Sequence, residues 1–119
     1  MADNYELALN GDSLGYEGFL KVADKFSGTD AGKLANAYAG LCYAQLGQND
    51  KAAAILVKAA DKANSHALSP IYLIQAGQLY EKLGKNSEAI SAYQTVKDKY
   101  FNSYLAMDID KYIERASVK

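Results

Sequence analysis

The sequence contains no tryptophan and only one cysteine, one proline and one histidine in 119 residues. A single thiol, Cys42, cannot form an internal disulfide. Cys42 and His66 together are also too few ligands for a zinc site. We therefore predict no metal, no cofactor and no disulfide framework. A catalytic dyad of His66 and Cys42 is not expected either, because nothing in the sequence orients it and buried cysteines are commonly inert.

Two further absences concern charge and long apolar runs. The 13 basic and 14 acidic side chains give a formal net charge of -1, so no positive field attracts a phosphate backbone. The longest apolar run of note, Ala52 to Val57, is far shorter than the roughly 20 residues that span a bilayer. We predict no nucleic-acid partner, no membrane insertion of this chain, and a chain that is soluble as given.

The abundant residues favour helices. Half of the residues are apolar, which is typical of a globular domain and not of a disordered chain. Alanine, the best helix former, is frequent, and β-branched residues are sparse. The composition therefore predicts an all-α protein.

The sequence matches itself when it is shifted by 37 residues. The matching pairs are Ala39/Ala76, Gly40/Gly77, Tyr43/Tyr80, Leu46/Leu83, Gly47/Gly84, Asn49/Asn86 and Ala52/Ala89. An Asp-Lys pair recurs at the same spacing, at Asp24-Lys25, Asp61-Lys62 and Asp98-Lys99. These pairs predict a structural unit that is repeated along the chain.

Each unit is predicted to contain two antiparallel helices, with Gly47 and Gly84 ending the first helix of each unit. Pro70 falls in the first turn of a helix, where proline is tolerated. We expect about six helices in one domain over 1–119. Its parts are the second helix of a partial repeat (14–29), repeat one (30–66), repeat two (67–103) and a C-terminal capping helix (104–119). The expected helices are Leu14 to Phe26, Asp30 to Leu46, Asn49 (as N-cap) to Ala63, Pro70 to Gly84, Ser87 to Tyr100 and Ser103 to Ala116.

Residue size supports this arrangement. Gly40 and Gly77, with the small Ala52 and Ala89, are predicted to let paired helices approach closely. Bulky residues, Leu56 and Tyr93, are predicted to occupy the equivalent place in the second helices. Tyr43 and Tyr80 are predicted to pack between successive units.

The Gly-x-x-Tyr, Gly and Ala positions between Leu14 and Ala116 resemble the tetratricopeptide repeat. The resemblance implies helix pairs stacked as a right-handed superhelix and a role in binding proteins. Because the sequence offers no paired carboxylates, triad or metal constellation, we predict that the chain is not an enzyme. Two features depart from the usual pattern. The period of 37 exceeds the common one of roughly 34 residues, with the extra residues around Ser65 to Ser69, and Phe101 stands where the repeat usually ends in proline.

The longer period resembles repeats of bacterial envelope proteins, among them outer-membrane assembly lipoproteins, cell-division coordinators and the ancillary subunit of the Sec translocon, with Bacteroidetes-type anchored proteins the most similar. This implies a role in envelope assembly or translocation. The segment Asn4 to Leu9 resembles the start of a second helix, with Ala8 in the small-residue place that the 37-residue period gives to Gly15. We therefore expect the chain to begin inside a repeat, as the periplasmic part of a longer, membrane-anchored bacterial protein.

The resemblance also implies that the inward face of the first helices binds a partner. The residues predicted for this face are Leu34, Ala37, Leu41, Gln45, Ile71, Ile74, Gln78 and Lys82. The helix from Asp30 to Leu46 is apolar nearly all round, so something must cover it. One explanation is a peptide or partner helix, and the other is the chain itself or a second copy in a homodimer. The lysines and asparagines with which some family members hold a C-terminal carboxylate are replaced by Ala37, Leu41, Ile74 and Gln78.

Overall fold

The computed structural model describes residues 2–11 and 18–118, which form seven α-helices, one 3-10 helix and no strand. The α-helices are α1 (Ala2–Asn10), α2 (Phe19–Lys25), α3 (Asp30–Gln45), α4 (Asn49–Ala63), α5 (Ser69–Lys82), α6 (Asn86–Lys99) and α7 (Ile109–Ser117), and the 3-10 helix η1 is Tyr104–Asp108. From α2 onward each α-helix packs chiefly against its neighbours along the chain, while α1 packs on α2 and α3. The all-helical prediction is confirmed. In the described part of the chain no helix has the length and apolar character needed to cross a membrane.

The first helices of the two repeats end in the same hydrogen-bonded turn. Gly47 and Gly84 have left-handed backbones, with φ of 78° and 74°. The amide of Gln48 donates to the carbonyl of Tyr43 at 2.9 Å, and Lys85 donates to Tyr80 at 2.8 Å. These bonds satisfy carbonyls at the helix end that would otherwise have no partner. The predicted glycine stops are therefore present in both repeats.

The extra residues of the long repeat lie in the connection from α4 to α5. This connection begins at Asn64, which is left-handed at φ 43°. The hydroxyl of Ser69, which is fully buried, donates to the carbonyl of Ala60 at 2.7 Å and accepts from the amide of Ser65 at 2.9 Å. The Ser65 hydroxyl in turn accepts from the amides of Ala67 and Leu68. Two serines thus order the insertion and start α5.

Three helix boundaries differ from those predicted. Gln48 occupies the N-cap position of α4 and Asn49 is its first helical residue, with no capping bond from a side chain. The helix expected from Ser103 to Ala116 is divided, because the Ser103 hydroxyl accepts from the amide of Leu105 and starts the separate 3-10 turn η1. The helix expected from Leu14 to Phe26 is seen as α2, and its residues 14–17, with Gly15, lie outside the described residues.

Close packing of the helix pairs follows the predicted pattern of small and large residues. Ala52 and Ala89 are fully buried, and Leu56 and Tyr93 are at most 1% exposed. A Cβ atom on Gly40 would lie 2.9 Å from Cγ of Leu56. The glycine thus removes the atom that would hold the paired helices apart.

Candidate functional site

A groove of about 500 Å³ lies along α3 and α5, the first helices of the two repeats, and we call it the α3–α5 groove. Its lining residues are Leu41 and Ala44 from α3, Leu56 from α4, Gln75, Gln78, Leu79, Glu81 and Lys82 from α5, and Arg115 from α7. The leucines supply apolar surface, and the glutamines supply amides that can both donate and accept hydrogen bonds. The groove has the size and mixed character of a binding site for a small ligand or a peptide side chain.

The structure brings together three of the residues predicted for the partner-binding face, namely Leu41, Gln78 and Lys82. Leu34 is 47% exposed but lines a separate depression of about 290 Å³ next to Tyr72. Gln45 and Ile71 are exposed and do not line either surface, and Ile74 is half-buried against the core. Ala37 differs most from the prediction, because it is 3% exposed and offers a partner no contact surface.

A buried carboxylate forms one end of the groove. The side chain of Glu81 is 5% exposed and binds the Arg115 guanidinium with both oxygens, from Nε at 3.1 Å and from Nη2 at 2.6 Å. The Tyr93 hydroxyl donates to the same carboxylate at 2.6 Å. The guanidinium also lies over the ring of Tyr112, 5.1 Å from its centroid, and the Tyr93 and Tyr112 rings stack at 5.5 Å. These contacts connect α5, α6 and α7 through one polar cluster, the Glu81 cluster.

The pKa values of Tyr93 and Arg115 are both raised within the Glu81 cluster. Burial is the largest cause that raises the pKa of Tyr93 well above its usual value, and the hydrogen bond to Glu81 and the negative charge of that carboxylate act in the same direction. The hydrogen bond to Glu81 likewise raises the pKa of Arg115. Tyr93 is therefore a neutral donor and Arg115 a fixed cation at ordinary pH.

Sequence reasoning missed this cluster, although the repeat contained a sign of it. In repeat one the positions of Glu81 and Tyr93 are held by Ala44 and Leu56. A carboxylate that replaces an alanine on the packed side of a helix requires a cationic partner. That partner, Arg115, is 34 residues away in α7.

The two residues of the rejected catalytic dyad lie in ordinary structural surroundings. Cys42 is buried in a cluster with Leu9 and Ala39, and burial raises the pKa of its thiol, the opposite of what a nucleophile needs. His66 is exposed and meets the ring of Tyr100 edge-on at 5.6 Å. Within residues 2–11 and 18–118, no three His, Cys, Asp or Glu side chains are placed to hold a metal ion.

The groove residues of α5 lie within a recognisable repeat. Residues 71–98 match the family model of the tetratricopeptide repeat. The match runs from the first turn of α5 through almost all of α6, and so includes Gln78, Lys82 and Tyr93. The match supports a tetratricopeptide repeat in this part of the chain, and such repeats generally mediate protein–protein interactions. Neither the curated proteins nor the solved structures gave a significant match.

Proposed function

We propose that this chain is a non-catalytic interaction module that binds a peptide segment of a partner protein in the α3–α5 groove. The observation that carries the proposal is the groove itself, in which Leu41 and Leu79 lie beside the amides of Gln75 and Gln78. An extended peptide needs both, because its side chains require apolar contacts and its backbone requires hydrogen bonds.

The charges of the groove restrict the class of peptide. Glu81 is neutralised by Arg115, while the exposed Lys82 adds a further positive charge to the lining. A bound segment should therefore carry an apolar side chain for the leucines and an acidic group near Lys82. This acidic group need not be a chain terminus, because the terminal-carboxylate clamp of some family members is missing from the sequence.

Two leucines of α3 provide a matched test of the groove. Leu41 and Leu34 are similarly exposed, at 44% and 47%, but only Leu41 lines the groove. Peptides should first be selected from a displayed random library against the unmodified protein. We expect Leu41→Glu to weaken the binding of selected peptides about tenfold or more, because the new carboxylate lies on the apolar contact surface. Leu34→Glu should leave the affinity within about twofold, as measured by titration calorimetry.

Equal affinity of the Leu41→Glu protein and the unmodified protein would refute the proposed site. A loss of binding in both variants would instead show that the whole predicted face, including Leu34, is used. Circular dichroism of each variant establishes that the helices are intact.

Self-association is a second candidate, and an exposed apolar stripe favours it. Phe101, Tyr104 and Met107 are 68%, 78% and 82% exposed. They are spaced three residues apart, and a 3-10 helix has three residues per turn, so Tyr104 and Met107 lie on one side of η1. Such a stripe is characteristic of a contact surface.

We expect sedimentation at increasing concentration to show a dimer that Met107→Glu converts to a monomer. A monomeric unmodified protein at millimolar concentration would exclude this candidate. A dimer that Met107→Glu leaves intact would place the contact elsewhere.

The length of the repeat supports a narrower proposal about the biological setting. Because the 37-residue period resembles that of bacterial envelope proteins, we infer a role in envelope assembly or translocation, in the periplasmic part of an anchored protein.

A further inference from the structure

Two grooves on the second helices are copies of each other by the 37-residue repeat. The α2–α4 groove has a volume of about 310 Å³, and the α4–α6 groove a volume of about 530 Å³. Every residue that lines the α2–α4 groove has its equivalent, 37 residues later, among those that line the α4–α6 groove. Four of these pairs are identical, namely Lys21/Lys58, Ala23/Ala60, Asp24/Asp61 and Lys62/Lys99. The α4–α6 groove therefore serves as an internal reference for the α2–α4 groove.

The floors of the two grooves differ in polarity. Leu73 lies in the floor of the α4–α6 groove, where it belongs to the hydrophobic core. The equivalent residue in the α2–α4 groove is Asn36, which is 3% exposed. Among the residues that the structure describes, none forms a hydrogen bond with the side-chain amide of Asn36. The amide lines the groove, where a group that enters can form hydrogen bonds with it.

The rims of the two grooves differ in charge. The α2–α4 groove is lined by three lysines, Lys21, Lys58 and Lys62, and one carboxylate, Asp24. The α4–α6 groove is lined by two lysines and two carboxylates, because Thr95 occupies the place equivalent to Lys58 and Glu88 is added. The α2–α4 groove therefore has an excess of positive charge, whereas the positive and negative charges of the α4–α6 groove balance. The Lys62 ammonium donates to the Ser27 hydroxyl at 3.2 Å, which holds it close to the end of α2.

We propose that the α2–α4 groove binds an acidic segment of a partner protein, with a Glu or Asp carboxylate between the lysines and the Asn36 amide. The amide and the ammonium groups are hydrogen-bond donors, and a carboxylate accepts from several donors at once. Leu20 and Ile55 add apolar walls that suit a neighbouring side chain of the same segment and that a free inorganic anion would leave unused. The α2–α4 groove shares no lining residue with the α3–α5 groove, so this proposal can be tested independently of the proposed function.

The test uses the full chain, labelled with nitrogen-15, and three probes. These are the peptide acetyl-Leu-Glu-Glu-Leu-amide, the same peptide with Gln in place of Glu, and inorganic phosphate. We expect the Glu peptide to shift the side-chain amide resonances of Asn36 saturably, with at least about tenfold tighter binding than the Gln peptide or phosphate. Raising the salt concentration should weaken binding, because Lys21 and Lys58 are exposed to solvent.

Two variants transplant residues of the reference groove. Asn36→Leu and Lys58→Thr install the residue types of Leu73 and Thr95, and each should weaken binding of the Glu peptide about tenfold. Lys85→Thr removes the same charge outside both grooves and is the matched control, which should bind as the unmodified protein does. Asn36→Leu should also raise the midpoint of thermal unfolding by roughly 5 °C, because it places an apolar side chain in the floor of the groove, as Leu73 does in the α4–α6 groove.

Several results would overturn the proposal. Equal binding of the Gln peptide, or of the Lys58→Thr variant, would show that charge does not select the ligand. Phosphate that binds as tightly as the Glu peptide would indicate a site for small anions and not for a protein segment. Shifts confined to Leu41, Gln78 and Lys82 would place the peptide in the α3–α5 groove. A thermal midpoint lowered by Asn36→Leu would mean that the amide stabilises the fold.

Discussion

Replacing Arg115 by methionine is expected to lower the free energy of unfolding by about 3 kcal/mol. The reason lies in the partner that remains, because the side chain of Glu81 is 5% exposed and would keep a buried negative charge without its counter-ion. The hydrogen bond from the Tyr93 hydroxyl does not neutralise that charge. The estimate is at the low end for a broken buried pair, because the Arg115 side chain is 46% exposed and water can reach the vacated side. Chemical denaturation followed by circular dichroism measures the change.

The double variant Glu81→Ala/Arg115→Met is the decisive comparison. It installs alanine at the place that Ala44 occupies in repeat one, and no charge remains buried. We expect it to be more stable than Arg115→Met alone by about 1 to 2 kcal/mol, since an ion pair removed as a whole costs less than a charge left behind. Lys97→Met is the matched control, because it breaks a different ion pair of α7, the exposed pair of Asp110 with Lys97 of α6 at 2.9 Å. That loss should stay below about 1 kcal/mol. A double variant less stable than Arg115→Met would contradict this account of the Glu81 cluster.

The parts of the fold that the sequence predicted are those that depend on local or repeated features. Gly47 and Gly84 mark helix ends because a left-handed backbone is needed there, and that requirement is visible in one residue. The small and large pairs, Gly40 with Leu56 and Gly77 with Tyr93, occur twice at the same spacing. Because these pairs recur, the sequence alone predicts that a small residue of one helix faces a large residue of the next.

The parts that sequence reasoning could not predict depend on the rotation of single helices and on contacts between distant residues. Ala37 and Leu41 are one turn apart on α3, yet the first is buried and the second is exposed. The 3-10 turn η1 comes directly before α7, and Arg115 of α7 reaches Glu81 of α5, which is 34 residues earlier in the chain. The polar floor of the α2–α4 groove was equally hidden, because an asparagine inside a helix does not reveal in the sequence whether it faces solvent or the interior.

The sequence patterns were also weakest near the N-terminus. The segment that resembled the start of a second helix is the helix α1, whose buried Leu9 contributes to a cluster with Ala39 and Cys42. Neither Ala8 nor Gly15 could be assigned to the small-residue place from the period alone. The reason is physical, since α1 and α2 have only nine and seven residues and therefore offer few positions at which a repeated pattern can be read.

The second large effect is expected at Gly77, where alanine should lower the free energy of unfolding by about 2 kcal/mol. A Cβ atom there would lie 2.6 Å from Cζ and 2.9 Å from Cδ1 of the Tyr93 ring. The ring cannot move aside without loss, because it is fully buried, stacked on Tyr112 and hydrogen-bonded to Glu81. Alanine normally stabilises a helix relative to glycine by roughly 1 kcal/mol. The measured loss in the free energy of unfolding is therefore the cost of the steric overlap minus this gain. Denaturant titration of Gly77→Ala gives the loss directly.

Gly40→Ala is the matched control, because the same helix position in repeat one faces Leu56 instead of a ring. A Cβ atom on Gly40 would lie 2.9 Å from Cγ and 3.0 Å from Cδ2 of Leu56. A leucine can change its rotamer, whereas Tyr93 is held by its partners, so Gly40→Ala should cost no more than about 1 kcal/mol.

The double variant Gly77→Ala/Tyr93→Leu recreates the pairing of repeat one with an added methyl group. If the steric reason is right, Gly77→Ala will cost less in the Tyr93→Leu background than in the unmodified protein. An equal cost in both backgrounds would show that the ring does not set the requirement for glycine.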